Sequence, residues 1–395
     1  MSPDPEGAPS FSCRREEFSL PNALHYLNCA YQSPLPRVAE AAGIRGIRRK
    51  RDPSGIGPED FFDDSDALRE RFARLVGGAD PSRVAILPST SYGIAVAARN
   101  TPLAADQNVV LAHEQFPGNV YVWRKAARRS GADLRTVAPP EDSDEARGKA
   151  WTRRILEAVD GRTAVVSMGN VHWTDGTLFD LEAVGERARE VGAALVVDGT
   201  QSIGALPFDV TRVRPDALVC AAYKWLLGPY SLALGWFGPR YDGGEPLEET
   251  WIAREGSREF SGLVEYVDEY QPGAVRYDVG ERSNFILLPM AIASLDLLLE
   301  WRPERIQRYC RDLTATLLEE ARGLGFRVEP EGWRASHLFG LRTPSGLEVG
   351  KVRKELEARR VSVSLRGSSL RVSPNVYNDQ ADVAALAEAL RATAG

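Results

Sequence analysis

Between residues 83 and 224 short apolar runs alternate with segments of helical period, and this pattern constrains the fold more than any other feature of the chain. "RVAILPS" leads into "TSYGIAVAARN", "NVVLAH" into "GNVYVWRKAARRSG", and "TAVVSMGNV" into "LEAVGERAREVG"; "AALVVDGTQS" and "DALVCAAYK" follow. Alternation of this kind predicts an α/β fold, a mostly parallel sheet with helices on both faces. Ligands of such sheets lie beyond the C-terminal strand ends. At 395 residues the chain exceeds what one core usually fills, so a large domain and a smaller one are expected. Two stretches, 139–151 and 241–260, are polar and aperiodic with Gly and Pro, and read as surface excursions. Beyond Phe285 come two helical patterns, "PMAIASLDLLLEW" and "ERIQRYCRDLTATLLEEARGLG". "FRVEP", "HLFGLRTP", "VSVSLRG" and "SSLRVSPN" then read as strands, and "DQADVAALAEALRA" as a closing helix. The expected division is an N-terminal arm and segment packing with the small domain over 1–45, a large domain over 46–285, and a small C-terminal α/β domain over 286–395.

Several functions are disfavoured at once. A net charge of −6 gives no electrostatic reason to bind nucleic acid or an anionic membrane. No apolar stretch is long enough to span a bilayer. "MSPDPEGAPSFSCRREEF" lacks the basic-then-apolar pattern of a secretory signal and reads as a flexible arm on a cytoplasmic protein. Cysteines at 13, 29, 220 and 310 form no CxxC pair, and the four histidines are isolated with no HExxH, so neither a disulfide framework nor a metal site is expected.

Lys224 is the exceptional basic residue. Of 49 Lys plus Arg only six are lysine, and Lys224 alone has no charged residue between Asp216 and Arg240. A chain this rich in arginine can place positive charge without lysine, so the exception suggests amine chemistry, which a guanidinium cannot perform. A lysine snorkelling from a strand end is the alternative, and composition does not separate the two. Asp198 follows four buried-type residues in "ALVVDGTQSIG" and needs a cation or strong donor. "ILPSTSYG" sets Ser89, Thr90, Ser91 and Gly93 between a strand and a helix, where a phosphate can be held. Alone, that segment reads as a helix cap. No GxGxxG or GxxxxGK[ST] is present. An amine for an imine, an acid for a protonated ring nitrogen, a phosphate cradle and a stacking aromatic together fit pyridoxal phosphate.

"VVDGTQSIGALPFDV" followed by "DALVCAAYKWLLGP" resembles the cofactor region of the class V aminotransferase family. These are fold type I pyridoxal-phosphate enzymes that include cysteine desulfurases, kynureninases and isopenicillin N epimerase-like proteins. The similarity runs from "YLNCAYQSPLP" to "LRVSPNVYND". It implies that Lys224 is the Schiff-base lysine, that Asp198 partners the pyridine nitrogen, and that Gln201 donates to the cofactor's phenolic oxygen. Thr90, Ser91 and Tyr223 would hold the phosphate, and Phe116 in "EQFPGNVYVW" would stack on the ring. Ser283 and Asn284 in "VGERSNF" fall where a neighbouring subunit reaches the phosphate, which implies a homodimer with shared active sites. Arg371 would bind the substrate's α-carboxylate through its fork. Asn170, His172 and Trp173 in "MGNVHWTDG" would line the substrate side, although His172 also reads as a hydrogen-bonded structural histidine.

The departures matter equally. Where desulfurases carry a mobile-loop cysteine the chain has "VSVSLRGSSLR", and serine cannot accept sulfur, so the persulfide route is disfavoured. Ala221 replaces a phosphate-contacting serine, leaving more of that task to Tyr223 and the "PSTSYG" turn. The expected activity is transfer of an amino group from an amino acid to a keto acid, with a pyridoxal-phosphate lyase of the C–S lyase or kynureninase kind, or an epimerase, as alternatives. A binding protein that kept the fold is poorly supported, because lysine, aspartate and arginine are all present.

Overall fold

The structure, a computed structural model, describes residues 11–78, 80–140, 145–344, 347–366 and 369–394. After strand β1 (His25–Tyr26) come helices α1 (Arg37–Arg49) and α2 (Asp63–Leu75). The alternating region follows: β2 (Val84–Leu87), α3 (Thr90–Arg99), β3 (Asn108–Ala112), α4 (Tyr121–Ser130), β4 (Asp133–Val137), α5 (Arg147–Ala158), β5 (Thr163–Gly169) and α6 (Leu181–Glu190). Next are β6 (Ala194–Asp198), the short α7 (Val210–Val213), β7 (Ala217–Ala221) and β8 (Ala233–Phe237). Helices α8 (Leu287–Trp301) and α9 (Pro303–Gly323) lead to β9 (Phe339–Arg342), α10 (Val349–Ala358), β10 (Val361–Ser362), β11 (Ser364–Arg366), β12 (Ser369–Val372) and α11 (Gln380–Ala394).

Seven strands form one sheet in the order β2-β8-β7-β6-β5-β3-β4. All run parallel except β8, which pairs antiparallel with both β2 and β7. This is the fold type I arrangement, a large mostly parallel mixed sheet in an α/β chain. The central strands read as unbroken apolar runs because both faces are covered: Leu195, Val196 and Val197 are buried, as are Leu218 and Val219 beside them. Each such side chain contributes about 1.5–3 kcal/mol. A second, antiparallel sheet joins β11, β12 and β9, and β1 pairs parallel with β10. Its core is separate, built from Leu313, Leu317 and Leu318 of α9, Leu341, Leu370 and Leu386. Helix α8 instead contributes Leu288, Leu295 and Leu298 to the larger core.

Several sequence expectations change. Residues 139–151 are not a surface excursion throughout: α5 begins at Arg147, and residues 141–144 lie outside the described residues. The helical period is hidden there because the buried positions inside the stretch are the small Gly148 and Ala150 with Trp151 at its very end, among charged Arg147 and Lys149. "FRVEP" forms no strand, only a single bridge between Arg327 and Arg342. In the N-terminal arm, residues 1–10 lie outside the described residues, but from residue 11 the chain is docked. The Arg14 N–H donates to the Val376 carbonyl at 2.7 Å, and Phe18 packs edge-on against Tyr377.

Candidate active site

The C-terminal ends of β2, β3, β5, β6 and β7 open on one cavity of about 410 Å³. Because β8 runs the other way, the residues before it, Tyr230 to Leu232, reach the same edge. Thr90, Ser91, Phe116, His172, Trp173, Asp198, Gln201, Tyr223 and Lys224 all line this cavity.

Lys224 sits on the connection from β7 to β8 and is buried, at 6 % exposure. That connection is tightly tied. The Leu227 N–H donates to the Lys224 carbonyl, Gly228 N–H to Ala222, and Ser294 Oγ of α8 to Leu227. It also holds Leu227 and Ser231 at positive φ, a conformation that costs side-chain-bearing residues energy. The Nζ of Lys224 stands 5.5 Å from the ring centroids of both Phe116 and Tyr223. Burial pulls its ammonium down to about 8, against the opposing pull of Asp198.

Asp198 ends β6 with Oδ1 accepting the Thr200 N–H at 3.0 Å. Burial pushes its carboxyl above the usual range; hydrogen bonds from Thr200 and the charge of Lys224 act the other way. It has no ion-pair partner among the described residues, so this carboxylate is short of a cation. At the mouth of α3, Ser89 is the helix cap, its Oγ accepting the Tyr92 N–H. Thr90 and Ser91 occupy the first turn, whose N–H groups have no helical partner. Gly93 lets α3 lie this close to the sheet, because a Cβ there would stand 2.7 Å from Leu87 and Val219 side-chain atoms.

Thr200 was not among the residues expected from sequence. Its Oγ1 lies 3.1 Å from Thr90 Oγ1 and accepts the Ala221 N–H, so it links the α3 turn, the Asp198 turn and β7. The legible signal was a hydroxyl two residues past the aspartate. Gln201 donates through Nε2 to the Ala30 carbonyl and accepts from Trp225, which leaves one Nε2 hydrogen for a ligand. Phe116, 46 % exposed, packs edge-on against Trp173.

His172 has both ring nitrogens engaged, Nε2 with the His113 carbonyl and Nδ1 with Thr174 Oγ1. Beneath it is buried Asp175, 3.5 Å from His172 Nδ1 and 2.9 Å from Arg342 Nη2 of β9. Burial would raise the Asp175 carboxyl, but His172, Arg147 and Arg342 together hold it well below the usual carboxylate range. Arg371 of β12 is buried and donates to the Trp173 carbonyl and Ser364 Oγ. Burial and neighbouring Arg366 bring it down to about 10. Four expected residues are not on the cavity wall, and Arg371, which reaches it only through the Trp173 carbonyl, is one of them. Asn170 lies between wall residues Gly169 and Val171. Ser283 bonds the Phe61 carbonyl, and Asn284 caps the turn entering α8.

A buried amine, a carboxylate without a cation, an open helix turn and an exposed aromatic on one wall match the functional groups of pyridoxal 5'-phosphate. The comparisons agree. Residues 59–236 match the family described as Aminotransferase class-V. The chain is 28 % identical over 386 residues to isopenicillin N epimerase of Streptomyces clavuligerus, covering 93 % of this chain and 94 % of that one. It is 27 % identical over 360 residues to kynureninase of Burkholderia mallei, covering 85 % and 81 %. A cysteine desulfurase structure from Escherichia coli superposes with a TM-score of 0.79 at 18 % identity, covering 96 % and 97 %. The segment that builds the cavity is thus similar to the class V aminotransferases, the fold is that of pyridoxal-phosphate enzymes of fold type I, and the cofactor that this site and its relatives indicate is pyridoxal 5'-phosphate.

Proposed function

We propose that the protein transfers the amino group of an amino acid to a keto acid, using pyridoxal 5'-phosphate held in this cavity. The observation that carries the reading is the buried Lys224 amine, with its proton affinity lowered to about 8, in one cavity with Asp198, a buried carboxylate that has no ion-pair partner among the described residues. Bound there, the cofactor supplies an electron sink for the carbanion formed at the substrate's α-carbon. Lys224 would hold the cofactor through its amine and would be the base placed to move the α-proton, a role that an amine lowered toward neutrality suits. Asp198 would accept the hydrogen bond of a protonated ring nitrogen. Thr90, Ser91, Thr200 and Tyr223 hold the phosphate, Gln201 donates to the phenolic oxygen, and Phe116 covers the ring.

Arg371 would hold the α-carboxylate and so orient the substrate, while His172 and Trp173 shape the substrate side of the cavity around the Asn170 turn. In this reading Lys224 belongs to the large domain, 46–285, and Arg371 to the small domain, 286–395, although α8 at the start of the latter packs in the larger core. Ser283 and Asn284 serve the phosphate of the neighbouring subunit in a cytoplasmic homodimer. The persulfide route is disfavoured: among the described residues no cysteine lines the cavity, Cys29, Cys220 and Cys310 being buried and Cys13 lying in the N-terminal arm. Epimerisation at the α-carbon is the second reading, supported by the 28 % identity that extends over 93 % of the chain.

The test is spectroscopic, then chemical. The purified protein is expected to be yellow, with a visible band abolished by borohydride and by Lys224→Ala. Amino acids are then assayed for products with and without a keto acid. Keto-acid-dependent amino transfer supports the proposal, racemised substrate supports the second reading, and pyruvate or alanine without a keto acid points to a lyase. A protein that stays colourless with added cofactor sinks all three.

A further inference from the structure

The strand pair that sets Arg371 against Trp173, behind the cavity wall, sets a second arginine there with it. In the β11–β12 register Ser364 faces Arg371 and Arg366 faces Ser369. Side chains alternate along strands, so Ser364, Arg366, Ser369 and Arg371 share one face. That face meets Trp173 on the cavity wall. The guanidinium carbon of Arg366 lies 5.4 Å from the indole centroid, and that of Arg371 lies 5.9 Å from it.

Neither arginine has a carboxylate at ion-pair distance among the described residues; their hydrogen bonds go to Leu365, Trp173 and Ser364. The Nε of each is buried without an acceptor, and so is Ser369 Oγ. Stacking on an indole occupies the face of a guanidinium but leaves its edge N–H groups open. Two like charges beside one aromatic, with no counter-ion, repel each other, and the buried donors cost energy until an acceptor arrives. One α-carboxylate accounts for Arg371 only.

We infer that the substrate is an amino acid carrying a second acidic group on its side chain, and that Arg366 selects it by binding that group. The inference rests on the proposed function, in which Arg371 takes the α-carboxylate. A planar carboxylate meets the guanidinium edge through parallel charge-assisted hydrogen bonds, worth roughly tenfold or more in affinity.

The experiment titrates the holoenzyme with L-aspartate and L-glutamate against L-asparagine and L-glutamine. Three responses are read: the visible spectrum, the thermal shift of the protein, and turnover. The wild-type protein is expected to prefer each acid over its amide by roughly tenfold or more. Arg366→Gln, with its visible band retained, should bring that ratio close to one, and Arg366→Lys should restore part of it. Amides bound as well as acids by the wild-type protein would overturn the inference while leaving the proposed function standing, as would an acid preference that survives Arg366→Gln. A coloured protein whose spectrum no amino acid perturbs overturns the proposed function and this inference together.

Discussion

Arg371 donates through Nη1 to the main-chain carbonyl of Trp173 at 2.9 Å, which fastens the antiparallel sheet to the loop after β5. One guanidinium thus holds the Trp173 segment of the cavity wall and, in the proposed function, also takes the α-carboxylate. Lysine keeps the charge but not the fork. Arg371→Lys is expected to raise KM for the amino acid by roughly 10- to 100-fold and leave the visible band in place. Steady-state kinetics beside an absorbance spectrum check this; an unchanged KM would remove Arg371 from the carboxylate site.

The lowered proton affinity of Lys224 predicts how cofactor uptake varies with pH. Only the neutral amine attacks an aldehyde, and an ordinary lysine reaches that form near pH 10.4 or so. With the Lys224 amine at about 8, uptake by cofactor-free protein should accelerate as pH rises through 8 and level off above it. Stopped-flow absorbance from pH 6 to 10 measures the midpoint. A midpoint near that of free lysine would contradict the desolvated setting described for this residue.

Thr200 tests a residue found only in the structure. Thr200→Val keeps the shape and removes the hydroxyl that joins Thr90 and the Ala221 N–H. Cofactor affinity should fall about tenfold, consistent with losing one hydrogen bond to a charged group. Equilibrium dialysis of pyridoxal phosphate reads the change, and an affinity equal to the wild type would limit Thr200 to a structural part.

Asp175 gives a stability prediction with a definite pH sign. Its folded-state carboxyl is held below the ordinary value by His172, Arg147 and Arg342, overcoming its burial. The unfolded chain therefore binds the proton more readily, so the stabilisation is complete above about pH 4 and is lost as pH falls below that. Asp175→Asn should destabilise the protein by about 3 kcal/mol at pH 7, since it strands Arg342 without its nearest carboxylate. The gap between variant and wild type should shrink in acid. Denaturant melts at pH 7 and pH 3 decide it; a gap that does not change with pH would rule out the ionised carboxylate as its source.

Much of this architecture was legible because the central strands are buried on both faces and so appear as continuous apolar runs. β2, β3, β5, β6 and β7 all fall within runs recognised from sequence. β4 was passed over because it is an edge strand with the polar sequence DLRTV, none of it fully buried. Helix α5 was partly obscured by its charged first turn. Within the site, Lys224 and Asp198 stood out because charge in an apolar run needs a reason. Thr200 and Arg366 did not, since a hydroxyl in a turn and an arginine in an arginine-rich chain are common. Ser283 and Asn284 carry bonds within their own chain that no spacing rule would reveal.

The two cores have a consequence for how damage to this protein would be noticed. Lys224 and Asp198 hang on the larger sheet, whereas Arg371 hangs on a separate antiparallel one with its own apolar cluster. Units of that kind can open independently. Colour and catalysis then act as gauges of different halves: in a denaturant titration turnover should fade first, leaving a yellow protein that has lost its grip on substrate while still keeping its cofactor.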